Sequence, residues 1–298
     1  MAKRKTEQQD LATRAAREMS VVKRDDMVQH ARFSLSIQEQ RCVLYAISKI
    51  KPEDTAFTEY TFELKDFYTL CGIEDQSYTR LKQTLKGLSD KSWWAVIDDK
   101  GTESLLRWFS TLRTNKRSGR VTVKFHEDMM PYLLQLATQA REQGAFYTQY
   151  GLKYVLPMRG QYSPRLYELL KSYQKNNREW FFDIDELKRI LDCQKYKNFN
   201  DFKKRALDPA VEEINEYTDL NVAYDTERTG RGGRVSRVIF FLAGKSKKAL
   251  TETNLKIYHH LDGQMSIEDF MEEFNNSVRA QFWAENPPER PDKPSEGF

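Results

Sequence analysis

The sequence predicts an α+β chain that uses one order of elements twice. Helix, strand, helix, helix and β-hairpin run from "LSIQEQRCVLYAISKI" to "RVTVKFH", and the same order restarts at "SPRLYELLKSYQKN". Apolar residues recur at helical spacing in the long segments and alternate in the short ones. Each half ends in a hairpin whose turn is basic and glycine-bearing, "NKRSG" in the first and "RTGRGGR" in the second.

In chain order, residues 1 to about 20 are polar and charged and read as a flexible or partly helical arm. Ser36 and Glu39 then have capping-box spacing, and Val43, Leu44, Ile47 and Ile50 form a helical stripe. "AFTEYTFEL" alternates as a strand, and "KDFYTLCGI" is a short helix stopped by Gly72. In the next helix Ser77 is the N-cap candidate, and Tyr78, Leu81, Leu85 and Leu88 share one face. "SWWAVID", a turn at "DKG", "SLLRWFSTLRT", the "NKRSG" turn and "RVTVKFH" complete the half. "YGLKYVLPMRGQYS" reads as a joint.

The second half opens with Ser163 as cap and Pro164 at the first helical position. "REWFFDI" is a strand and "DELKRILDC" a helix. Phe202, Ala206, Ala210, Ile214 and Tyr217 then share a helical stripe. Pro209 interrupts that helix and would cost about 3 kcal/mol in an ordinary interior. Because the stripe stays in phase across it, the segment is expected to be one kinked helix. "DLNVAYDTE" and "RVSRVIFFL" pair around the arginine-rich turn.

Helix, strand, helix, helix, strand, loop, strand is the order of a winged helix, a helix-turn-helix variant. Its third helix can enter a DNA major groove, and its hairpin loop, the wing, can touch the backbone. The expected fold is therefore α+β, two tandem winged-helix domains with a helical C-terminal tail. The expected parts are an arm (1–24), a first domain for DNA contact and dimerisation (25–150), a second for the main DNA recognition (151–245) and a tail (246–298).

Composition narrows the function classes. Of 298 residues, 39% are hydrophobic, enough for one large or two ordinary cores. Charged residues reach 31% and mean hydropathy is −0.75. No run of about 18 apolar residues suggests a membrane span. "MAKRKTEQQD" lacks the apolar core of a secretory signal. Cys42, Cys71 and Cys193 lie in apolar stretches without C-x-x-C spacing, which reads as buried free thiols in a reducing cytoplasm. Net charge is only +4, but the tail after Leu250 is acidic while cations gather in the hairpins and helix starts upstream.

Those cations are the candidate site. Asn200, Lys203, Lys204 and Arg205 open the long helix of the second half. Cations there oppose the helix dipole, so they are poorly placed for stability but well placed to meet phosphates and base edges. Arg228, Arg231, Arg234 and Arg237 surround the second wing, whose glycines allow close backbone approach. The weaker first-half counterparts are Thr79, Arg80, Lys82, Gln83 and Lys86 on the third helix, with Arg113, Lys116, Arg117 and Arg120 around the hairpin turn. Solvated basic faces, or a first half given mainly to protein contact, are the bland alternatives. Trp93, Trp94, Trp108 and Phe109 are expected in the core.

Catalytic signals are thin: "RTGRGGR" lacks the lysine and spacing of a phosphate-binding loop. His259 and His260 beside Tyr258 suggest a nuclease, but adjacent histidines point apart and do not chelate one metal. No cofactor, metal or catalytic residue is expected. "GQMSIEDFMEEF", capped at Ser266, reads as an amphipathic helix docking on its own protein. Its Gln264, Ile267 and Phe270 loosely match peptides that bind sliding clamps, and the Pro-rich end beyond Asn286 reads as disordered.

"YSPRLYELLKSY", "FNDFKKRALDPAVEEINEYTDLNVAY" and "GRGGRVSRVIFFL" together resemble the initiator (Rep) family of theta-replicating, iteron-type plasmids. The opening "VVKRDDMVQHARF" and "LSIQEQRCVLYAISKI" are similar to that family more loosely, and the resemblance covers about residues 21–243. It implies a DNA-binding initiator without catalysis, with double-stranded origin DNA bearing direct repeats (iterons) as partner. It also implies a homodimer through the N-terminal domain that represses its own gene, and recruitment of the host replication initiator and helicase. The family's recognition-helix residues carry over to Lys203, Lys204 and Arg205, and its wing to Arg231 and Arg234. An asparagine common in the family's opening is replaced here by Asp25 or Asp26 and carries no role over. The rivals are a winged-helix transcription repressor and a rolling-circle nicking initiator.

Overall fold

The computed structural model describes residues 12–73, 77–96, 102–229 and 233–262. Residues 12–17 are helical and lead into β1 (Ser20–Arg24) and the short helix α1 (Asp25–His30). Arg17 is wholly buried, donating to the carbonyls of Thr69 and Leu70 and pairing with Asp262 at 2.6 Å. From residue 12 onward the expected arm is thus part of the folded body, since a buried cation has to be met by acceptors.

α2 (Ile37–Ile47) begins with the capping box read from the sequence: Ser36 accepts from the Glu39 amide, and Glu39 accepts from the Ser36 amide at 2.6 Å. β2 (Tyr60–Glu63) runs into α3 (Leu64–Leu70), which ends at Gly72 with φ of +63°. α4 (Tyr78–Ser89) is capped by Ser77 and buries Leu81, Leu85 and Leu88. β3 (Ser92–Val96) and β4 (Glu103–Arg107) form their own antiparallel pair, while β5 (Phe109–Asn115) and β6 (Arg120–Phe125) join β2 in the order β2-β6-β5. "SLLRWFSTLRT" is therefore two strands in two sheets, divided at the buried Trp108. The expected "DKG" turn lies outside the described residues.

After α5 (Met130–Leu133) and α6 (Leu136–Gln143), β7 (Tyr147–Gly151) returns to pair antiparallel with β1. The second unit is α7 (Ser163–Gln174), β8 (Glu179–Asp183), α8 (Ile184–Ile190), α9 (Phe199–Phe202), a π-helical turn (Lys203–Leu207), α10 (Asp208–Tyr217), β9 (Leu220–Thr229) and β10 (Arg234–Gly244). Its sheet order is β8-β10-β9. Each unit thus has three helices over a three-stranded sheet that ends in a hairpin, the winged-helix arrangement. α11 (Lys247–Asp262) packs back on α10, and residues from 263 onward, with the expected helix at Ser266, lie outside the described residues.

Two local expectations are corrected. Ser163 is not a cap: Tyr162 holds that position without a side-chain bond, because Ser163 is already inside the helix and buried. Trp93 and Trp108 are 1% exposed, but Trp94 is 44% exposed, because strand alternation sends its ring to the opposite face from Trp93.

One contiguous apolar cluster runs through both halves. α7 is buried along most of its length and packs on α10, α1 and β7. Where it meets the first half, several polar groups are paired across the boundary. Lys23 and Glu168 form a buried ion pair, and the Tyr150 hydroxyl also donates to Glu168. Arg165 donates to the Ala31 carbonyl at 2.6 Å and lies over the Phe33 ring, while Arg41 donates to the carbonyls of Leu156 and Met158. The three cysteines are buried and free, and burial pushes the Cys71 thiol up to about 11.

Candidate nucleic-acid interface

The long helix of the second half is built around Pro209. A proline has no N–H for an α-helical bond and clashes with the carbonyl four residues back. Here the chain widens into a π-helical turn just before it, and the Asp208 amide bonds to the Lys203 carbonyl, five residues back. Across this turn Phe202, Ala206, Leu207, Ala210, Val211 and Ile214 remain buried. The expected single helix is thus continuous, with the irregularity at 203–207.

The same widening sorts the cations. Asn200, Lys204 and Arg205 point to solvent, and among the described residues Lys204 and Arg205 have no carboxylate partner. Asn198, rather than Asn200, caps the helix, accepting from the Asp201 amide at 2.8 Å. Lys203 is held back. Its ammonium donates to both Asp208 oxygens at 2.8 and 2.9 Å and to the Tyr224 hydroxyl at 2.7 Å, and Tyr224 in turn donates to Asp208. The bonds to Asp208 and Tyr224 raise the Lys203 pKa; burial works against the Asp208 carboxylate, yet Lys203 and Tyr224 leave it below its ordinary value. Tyr224 lies on β9, so this cluster fastens the third helix to the wing hairpin.

On that hairpin, Arg234 is exposed and faces Thr229 across the ladder. Arg228 folds over the turn and donates to the Gly233 carbonyl at 2.9 Å; Gly233 has φ of +59°. Arg237 is engaged elsewhere, pairing with Asp183 at 3.0 Å and Glu227 at 3.5 Å over the Phe181 ring. Arg231 lies outside the described residues.

The first half repeats the plan with fewer constraints. Thr79, Arg80, Lys82, Gln83 and Lys86 are exposed on α4, opposite its leucine face. The Tyr78 hydroxyl bonds to Thr114 on β5 at 3.0 Å, again tying third helix to hairpin. At the hairpin tip Asn115 accepts from the Arg117 and Ser118 amides, and Gly119 has φ of +66°. Lys116, Arg117 and Arg120 are exposed, whereas Arg113 pairs with Glu59 at 2.6 Å. Sequence reasoning missed the Lys203–Asp208–Tyr224 cluster. The spacing of Lys203 and Asp208 gave no signal, because five residues is not a contact distance on an α-helix.

Known proteins match this arrangement. The family model described as "Initiator Replication protein, WH1" matches residues 20–171, and "Initiator Rep protein, WH2" matches residues 183–241. The chain is 27% identical to the PI protein of Escherichia coli over 135 residues, 41% of this chain and 43% of that protein. It is 23% identical over 230 residues to an uncharacterized 27.6 kDa protein of Escherichia coli, covering 70% of this chain and 91% of that one. Its fold is similar to the crystal structure of the Pi initiator protein in complex with iteron DNA, with a TM-score of 0.62 and 20% identity over 77% of this chain and 99% of that one. With the first winged-helix model alone spanning half of its length and the second following in order, the chain belongs to the initiator replication protein family.

Proposed function

We propose that the protein starts plasmid replication by binding directly repeated origin sequences, each half laying its third helix in one of two successive major grooves of the duplex. The observation that carries this reading is the pairing, in both halves, of an exposed cationic helix face with a hairpin fastened to it. The solved relative that shares the fold is bound to iteron DNA. In the second half Asn200, Lys204 and Arg205 meet base edges and phosphates, and Arg228, Arg231 and Arg234 meet the backbone. Lys203 and Arg237 serve by position, since both are committed to carboxylates of the chain itself. In the first half Thr79, Arg80, Lys82, Gln83 and Lys86 form the helix contact, with Lys116, Arg117 and Arg120 on the hairpin and Arg113 braced against Glu59.

The expected domain limits at 25–150 and 151–245 belong to this proposal, as do dimerisation through the first domain, autorepression and recruitment of the host replication initiator and helicase. The protein acts by holding and straining duplex without breaking a covalent bond. Footprinting of the purified chain on DNA of its own plasmid tests the reading. Protection of tandem repeats, together with loss of plasmid maintenance when the repeats are deleted, supports it. Nicking of supercoiled origin DNA, or repeat binding with no role in maintenance, contradicts it.

A further inference from the structure

The outer face of the second sheet is apolar at its centre and acidic at its edges. Strand alternation exposes Phe181 on β8, Phe241 and half-buried Ile239 on the central strand β10, and Ala223 on β9. Phe181 and Phe241 are 50% and 43% exposed. In register, Phe181 lies opposite Ile239 and Phe241 opposite Ala223, so the four form a continuous apolar band across the strands. Carboxylates border it on both edges: Glu179 and Asp183 on β8, Asp225 and Glu227 on β9, all exposed. Among the described residues the one cation on this face is Arg237, already paired to Asp183 and Glu227 at the wing end. Glu179 and Asp225 have no cationic partner among the described residues.

Such acidic edges repel phosphates, which disfavours nucleic acid as the occupant. The chain's own end beyond residue 262 fits no better, because residues 263–298 hold eight Asp/Glu against three Lys/Arg. Three strands spaced about 4.8 Å apart give a face about 10 Å wide, the breadth of one helix. We propose that this face docks a cationic amphipathic helix of another protein. Its apolar stripe lies along β10 against Phe181, Ile239 and Phe241, and its lysines and arginines flank it to reach Glu179 on one side and Asp225 on the other. The face lies on the side of β9 opposite Tyr224 and the third helix, so partner and DNA can be held together.

The test titrates the purified full chain, without DNA, with two fluorescent helical peptides of about 18 residues. They share one leucine stripe, flanked in one by lysines and in the other by glutamates. The lysine peptide is expected to bind and the glutamate peptide not to. Phe241→Ser, and separately the double variant Glu179→Lys/Asp225→Lys, are each expected to weaken the lysine peptide by about tenfold or more. Both keep the parent's melting temperature and its repeat-DNA affinity within about twofold. Equal binding of the two peptides, or undiminished binding by both variants, overturns the proposal. A shift from dimer to monomer on sedimentation of Phe241→Ser also overturns it, since a second copy would then be the occupant. Repeat affinity is read separately, so failure here leaves the DNA reading standing.

Discussion

Lys203, Lys204 and Arg205 are consecutive within a single turn of backbone, yet the three cations have different prospects. Arg205→Ala is expected to weaken repeat binding by about 1–3 kcal/mol, the scale of one lost base contact, in a gel-shift titration. Lys204→Ala should lower affinity across all sequences and reduce the salt slope, log affinity against log salt, by about 0.9 if it neutralises one phosphate. Lys203→Met should leave that slope unchanged while lowering discrimination between repeat and unrelated duplex, because its ammonium is spent on Asp208 and Tyr224. A slope reduced as in Lys204→Ala would return Lys203 to the phosphate contacts. The sequence named all three residues and could not rank them, since the ranking follows from the π-helical turn, which no periodicity announces. His260 offers a pH probe. Burial lowers its pKa, as does Arg159, with Arg41 acting likewise and Glu216 and Glu213 opposing. The unfolded chain therefore takes up a proton that the native one resists, so stability falls as pH drops below about 6.5. His260→Gln should flatten that part of a melting-temperature profile.

Individual elements were legible in the sequence wherever local chemistry alone decides them. The capping box at Ser36, the stop at Gly72, the cap at Ser77 and both basic hairpins stand where spacing placed them. Ser163 and Trp94 were misplaced because burial on one side of an element depends on what packs there. β4 and β5 read as one strand, "SLLRWFSTLRT", because one long run carries no mark of the sheet it joins. α11 rests on residues far away in the chain, with Tyr258 bonded to Glu18 and Asp262 to Arg17. A Cβ on Gly72 would meet the Leu261 backbone at 2.9 Å, and φ of +63° strains any other residue there. Gly72→Ala is therefore expected to cost about 1–3 kcal/mol in urea denaturation and to speed amide exchange in α11. Unchanged exchange in 253–261 would show that the helix does not rest on that contact.

At the scale of the molecule, the two halves are joined through α7 rather than strung on a linker. The joint read from "YGLKYVLPMRGQYS" is a buried crossing whose Leu156 and Met158 carbonyls are held by Arg41. Its sequence could not disclose this, because the matching groups lie more than a hundred residues away. Glu168→Gln strips the buried Lys23 of its counter-charge and is expected to cost about 3–5 kcal/mol. Adding Lys23→Met should recover much of that loss, and a larger loss in the double variant would mean that the pair is not what joins the halves.

The most direct test is hydroxyl-radical footprinting of the full chain on a single origin repeat, alongside Arg205→Ala and the double variant Lys82→Ala/Lys86→Ala. Two protected patches are predicted on one side of the duplex, about one helical turn apart, one weakened by each variant. A single patch, untouched by one of the two variants, would contradict duplex recognition by both winged helices.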